Sequence, residues 1–135
     1  AISDYSQVIF LRPGLPLVHF SRAMAYRKTG DLDSAIKDFT RVVQLLPDQP
    51  WAYFSRGLAY GLKEEFDLAI SDFSKAIELN PAYADAYYNR GIILEEKGER
   101  VSALASYEQA LSLYPDKSEE YKLLTSRIAA IKHNK

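Results

Sequence analysis

The chain has 135 residues, 47% apolar and 13% aromatic, which is enough oily side chain for a continuous core. Its 17 basic and 18 acidic residues are mixed along the sequence and leave a net charge of −1, so no broad basic field is offered to nucleic acid or anionic lipid. No apolar run approaches the ~20 residues of a membrane span, no basic, apolar and small-residue order of a signal peptide opens the chain, and the lack of cysteine removes disulfides, thiolate metal sites and a thiol nucleophile.

Pro13, Pro47, Pro81 and Pro115 stand 34 residues apart. Such a period means one supersecondary unit copied along the chain, each copy too small to bury its own apolar face and therefore stacked on its neighbours. Residues 1–15 read as the second helix of an incomplete copy, because Ala1 falls under Ala35, Ala69 and Ala103, and Tyr5 under Phe39, Phe73 and Tyr107. The helix is expected from about Ile2 to Leu11, with Ile2, Tyr5, Val8 and Ile9 on a side that a preceding helix would cover. Truncation of a longer array is the preferred reading; self-association through this uncapped N-terminal helix is the alternative.

Three complete copies follow, 16–49, 50–83 and 84–117. In the middle copy Ala52, Tyr53, Leu58, Ala59, Tyr60 and Leu62 recur at helical spacing, and Pro50 suits a first helical turn, giving a first helix over roughly 50–63. Phe66, Ala69, Ile70, Phe73, Ala76, Ile77 and Leu79 give a second over 66–79, which stops at Asn80 because the following Pro81 disfavours helix there. Gly30 and Gly98 mark the turn between helices in the flanking copies. Small residues, Ala23, Gly57 and Gly91 on first helices and Ala35, Ala69 and Ala103 on second helices, predict a close crossing of the two backbones. Residues 118–135 read as a capping helix: Ser118 at its start, Glu119 and Glu120 in the first turn, and a buried stripe of Tyr121, Leu124, Thr125, Ile128 and Ile131. Lys122, Arg127, Lys132, His133 and Lys135 fall outside that stripe.

The copies also allow an internal comparison. Asp4, Asp38 and Asp72 share one column that becomes Ser106, while Arg22, Arg56 and Arg90 share another that becomes Leu124. The charges are lost one copy out of step. Inter-repeat ion pairs of Asp4 with Arg22, Asp38 with Arg56 and Asp72 with Arg90 are therefore expected.

Tyr53, Arg56, Gly57, Tyr60, Ala69, Phe73 and Pro81 fall at the spacings of the tetratricopeptide repeat, and the other copies match as His19, Arg22, Ala23, Tyr26, Ala35, Phe39, Pro47 and as Tyr87, Arg90, Gly91, Leu94, Ala103, Tyr107, Pro115. The chain resembles that family along essentially its whole length, departing mainly in carrying Arg where Leu is usual. The resemblance implies an all-α, right-handed superhelical solenoid of antiparallel helix hairpins, with first helices lining a concave face. Groove positions are then Leu17, Phe20, Ser21, Met24, Arg27 and Lys28 in the first copy. The second contributes Trp51, Phe54, Ser55, Leu58 and Leu62, and the third Asp85, Tyr88, Asn89, Ile92, Glu95 and Glu96. Trp51, Phe54, Phe20 and Met24 are the candidate anchors for a partner polypeptide. Family members that grip the carboxylate end of a chaperone tail do so with Lys, Asn and Arg; the matching positions here are Phe20, Met24, Ser55, Asp85 and Asn89, which do not form that clamp.

With two well-separated histidines and no phosphate-cradling loop, neither an intrinsic active site nor a cofactor or metal is expected. The expected function is a soluble scaffold, with the cytoplasm as the favoured compartment, that binds a protein or peptide in its concave groove. The alternatives are a self-assembling array and a docking or regulatory segment of a larger enzyme.

Overall fold

The computed structural model describes residues 1–133, so Lys135, expected on the outer side of the last helix, lies outside the described residues. Among them are eight helices and no strand: α1 Ile2–Leu11, α2 Pro16–Thr29, α3 Leu32–Leu45, α4 Pro50–Leu62, α5 Phe66–Leu79, α6 Ala84–Glu96, α7 Arg100–Leu113 and α8 Glu119–His133. Pro16 and Pro50 open α2 and α4, where a missing N–H costs nothing. Gly30 and Gly98 leave the first helices at φ of 88° and 86°, a left-handed conformation that favours glycine. Each helix packs on the next in sequence, and α4 also touches α6. The result is a two-layer solenoid of hairpins, with α2, α4 and α6 as the inner layer.

Each hairpin is locked by a ring against a small residue. A Cβ built on Gly57 would lie 2.9 Å from the Phe73 ring, and one on Gly91 2.5 Å from the Tyr107 ring. Ala23 occupies the same column in the first hairpin and shares a buried cluster with Ala35 and Phe39. The close approach expected at these positions is thus made by an aromatic ring over the first helix, and Phe39, Phe73 and Tyr107 are among the largest fully buried side chains.

The Asp and Arg columns pair within a hairpin, which corrects the expected register. Arg22 Nε and Nη2 donate to both carboxylate oxygens of Asp38 at 2.7 Å, and Arg56 binds Asp72 in the same way at 2.8 Å. Asp38 and Asp72 are buried and turn back towards their own first helix, out of reach of Arg56 and Arg90 respectively. Asp4 does not pair with Arg22; it is exposed and lies 3.7 Å from the Ala1 amine. The remaining Nη1 of each arginine does cross to the preceding hairpin, where it donates to Ser6 at 3.1 Å, Thr40 at 3.4 Å and Ser74 at 3.2 Å. One guanidinium therefore ties three helices together. In the last hairpin Ser106 replaces the carboxylate, accepting from Arg90 Nε at 3.1 Å. Burial without that counter-charge holds the Arg90 guanidinium below its usual range, whereas hydrogen bonds to Asp38 and Asp72 raise Arg22 and Arg56.

Ion pairs between hairpins exist, made by other residues. Lys63 reaches Asp33 at 2.7 Å and Lys97 reaches Asp67 at 2.7 Å, one period apart. A further repeated contact fixes the start of each first helix: Tyr53 Oη donates to the Pro47 carbonyl at 2.9 Å and Tyr87 Oη to that of Pro81 at 3.2 Å. His19 fills the same column with Nε2 2.7 Å from the Pro13 carbonyl, leaving Nδ1 buried and without a hydrogen bond 3.6 Å from Asp38.

At the C-terminal end Ser118 Oγ accepts from Tyr121 N at 3.1 Å, and Leu124 and Ile128 of α8 are buried in the last core cluster. Thr125 falls off that stripe; it is exposed and donates to the Tyr121 carbonyl. Arg127 and the Tyr107 hydroxyl both donate to Glu95, at 2.9 and 2.7 Å, so Glu95 joins α6 to α7 and α8 and is not free to line the groove. Burial pushes the Glu95 carboxyl up, but these two donors outweigh it and hold it below its ordinary 4.5.

Two outcomes follow from these contacts. Arg56→Ala leaves Asp72 buried without its cation and is expected to cost about 3 kcal/mol, while Ser106→Asp, which restores the missing carboxylate, raises thermal stability; melting curves of the two variants check both signs. The Glu95 contribution is full above pH 4.5 and is lost as pH falls through the lower folded value. Urea midpoints are therefore expected to drop more for wild type than for Glu95→Gln between about pH 6 and about pH 3.

Candidate functional site on the concave face

The inner layer holds most of the residues expected in the groove, but several are committed to packing. Phe54 lies against Phe73 and Tyr83, with ring centroids 5.7 and 5.0 Å away, and Tyr88 lies edge-on to Tyr107 at 6.1 Å. Ser55 is buried and turns its hydroxyl back to the Trp51 carbonyl at 2.8 Å, so it is not a groove residue. Phe20 meets Trp51 at 5.1 Å with planes 82° apart, which makes the two half-buried rings a bridge between α2 and α4. Met24 is half-buried beside Tyr5 of α1, in a second depression that Arg27 also borders. Leu17 is 65% exposed at the far end of α2, and Asp85 accepts a hydrogen bond from the Tyr114 hydroxyl.

A recess of this face lies between α4 and α6. It is a cavity of ≈ 390 Å³ whose apolar walls are Leu58, Leu62, Phe66, Phe73, Ile92 and Ile93. Arg27, Asn89, Glu64 and Glu96 supply its polar border. Six of the expected groove positions, Arg27, Leu58, Leu62, Asn89, Ile92 and Glu96, are brought together here; Leu17, Phe20, Met24, Trp51, Phe54 and Tyr88 are not part of it. Asn89 Nδ2 is spent on the Asp85 carbonyl at 2.8 Å, which leaves its amide oxygen free to accept.

Two departures from the neighbouring copies border the cavity. Gly61 occupies the column that holds Arg27 and Glu95 in those copies, and its bare backbone admits Ile93. A Cβ at Gly61 would lie 3.0 Å from Ile93 Cδ1. Glu64 occupies the column of Gly30 and Gly98 and holds φ at 64°, which puts a carboxylate in a left-handed turn at the rim. Glu64 stands in the sequence as a break in a glycine column, whereas the Gly61 column differs in every copy.

Among the described residues no three His, Cys, Asp or Glu side chains gather as metal ligands, and no helix is long and apolar enough to cross a membrane.

Family models described as TPR repeat match residues 23–64 and 62–98, and one described as tetratricopeptide repeat matches 84–117. No curated protein sequence matches the chain. Among solved structures, the MamA crystal structure superposes with a TM-score of 0.82 at 27% identity, covering 97% of this chain and 78% of that one. The first TPR of Spaghetti (RPAP3), bound to the HSP90 peptide SRMEEVD, gives a TM-score of 0.79 at 30% identity over 87% of this chain and 90% of that one. The type III secretion chaperone SycD of Yersinia enterocolitica, in complex with a peptide of the translocator YopD, gives 0.80 at 23% identity, with coverage of 85% and 90%.

Because the left-handed turn penalises a β-carbon, Glu64→Gly is expected to raise stability by about 1 kcal/mol, read as a higher urea midpoint with an unchanged slope.

Proposed function

Because the chain belongs to the tetratricopeptide repeat family, we propose that it is a protein-interaction module that seats a side chain of a partner polypeptide in the cavity between α4 and α6. The observation that carries this reading is the apolar recess of ≈ 390 Å³ between α4 and α6. Gly61 forms part of its wall with bare backbone, which lets Ile93 pack so close that a Cβ there would lie 3.0 Å from Ile93 Cδ1. A recess with apolar walls and a few polar groups at its mouth suits one large side chain of an extended or helical segment.

Two structurally similar proteins carry peptides, the RPAP3 repeat domain with its HSP90 peptide and SycD with a YopD peptide, which supports a general role in protein interaction. The occupant proposed here differs from the acidic SRMEEVD sequence, because Phe20, Met24, Ser55 and Asp85 put no cation at the positions that would clamp a carboxylate end. Leu58 and Ile92 form the contact surface, Asn89 offers its amide oxygen to the partner's backbone, and the Phe20–Trp51 pair extends the apolar strip towards α2.

Gly61→Met tests the reading, since Ile93 must give way to its Cβ and the flexible side chain then crowds the recess. Peptides selected on the wild-type protein are expected to lose binding to this variant while its helical circular dichroism is retained. Retained binding would place the contact surface elsewhere.

A further inference from the structure

Resting on the cavity reading above, we infer that this site selects a polypeptide segment in which a large apolar residue is next to a lysine or arginine. The charges at its mouth carry the inference. Three charged side chains near the turns of this molecule are neutralised by another element: Lys63 by Asp33, Lys97 by Asp67, Glu95 by Arg127. Glu64 and Glu96 are different. Both border the cavity, and among the described residues neither has an ion pair or a side-chain hydrogen bond.

The lysines that directly adjoin them in sequence are held away. Lys63 precedes Glu64 and Lys97 follows Glu96, yet each ammonium lies 2.7 Å from an aspartate near the start of the preceding second helix. The turns therefore send their cations to the hairpin before and leave the carboxylates at the recess. Arg27 is the one cation on the border, at the α2 end, so two carboxylates face one guanidinium across an apolar well. A side chain that fills the well brings its neighbour within reach of Glu64 and Glu96, where a cation is attracted and an anion repelled. Two such pairs to exposed carboxylates, each of modest strength, amount to about a tenfold preference.

The experiment is selection from a phage-displayed random dodecapeptide library on the immobilised full chain, repeated on the Glu64→Lys/Glu96→Lys double variant. Wild type is expected to enrich peptides with a large apolar residue beside Lys or Arg, and the double variant to enrich Asp or Glu at that place. A synthetic representative should bind the milder Glu64→Gln/Glu96→Gln variant about tenfold more weakly than wild type, a check that survives if the lysine variant folds poorly. Enriched apolar peptides that lose binding to Gly61→Met but show no basic preference would overturn the charge inference and leave the cavity reading standing. No enrichment at all, or peptides that still bind Gly61→Met, would overturn both.

Discussion

No hairpin in this chain can cover its own apolar face, and every other feature is arranged around that deficit. The inner ring of each hairpin, Phe39, Phe73 or Tyr107, is buried only because a small residue on the facing helix admits it. Across the boundary, the side chains of the next hairpin complete the cover, and each arginine fork reaches both ways, to its own second helix and to the one before. Burial of apolar area supplies the driving force; the forks, with directional bonds to buried carboxylates and half-buried hydroxyls, set the register in which that area is covered. The lysine–aspartate pairs on the outer rim are exposed and add little beyond that.

A strict repeat would give a surface with the same character at every step. Distinctive chemistry arises where a column is broken. Gly61 lets Ile93 close on bare α4 backbone at the wall of the recess, and Glu64 replaces a turn glycine and charges its mouth. Ser106 removes a counter-ion from Arg90, and His19 replaces a tyrosine while keeping its bond to the proline carbonyl. The first two breaks lie on the concave face within one hairpin, so the middle repeat is where the scaffold is specialised. Its two neighbours provide the remaining walls: Arg27 from α2, Ile92, Ile93 and Glu96 from α6.

The period and the eight helices were legible in the sequence, because both rest on spacing alone; the small positions were legible as places of close approach, but not that an aromatic ring of the second helix makes it. The arginine partners were not. A column of Asp and a column of Arg lost out of step fit a forward pairing, but spacing does not say which flank of a helix a side chain leaves, and the observed fork turns back onto its own hairpin. Ser106 alone accounts for the offset. Groove membership was legible by face and not by depth: Ser55 and Phe54 lie on the inner helix yet are consumed by a backbone carbonyl and by neighbouring rings. The cavity was not legible because helical spacing assigns faces and not the gaps between helices, and its walls include Phe66 and Phe73, which spacing places in the apolar stripe of the second helix.

Native-state hydrogen exchange, read amide by amide, tests mutual burial of hairpins most directly. In a stack where each unit is stabilised by the ones on either side, α4, α5 and α6 are covered from both directions and α1, which buries no residue fully, is covered from one. The slowest exchange should therefore fall in α4 to α6 and decline towards α1. Protection in α1 equal to that of α4 and α5, or a maximum confined to the first or last hairpin, would contradict the claim that neighbours hold one another folded.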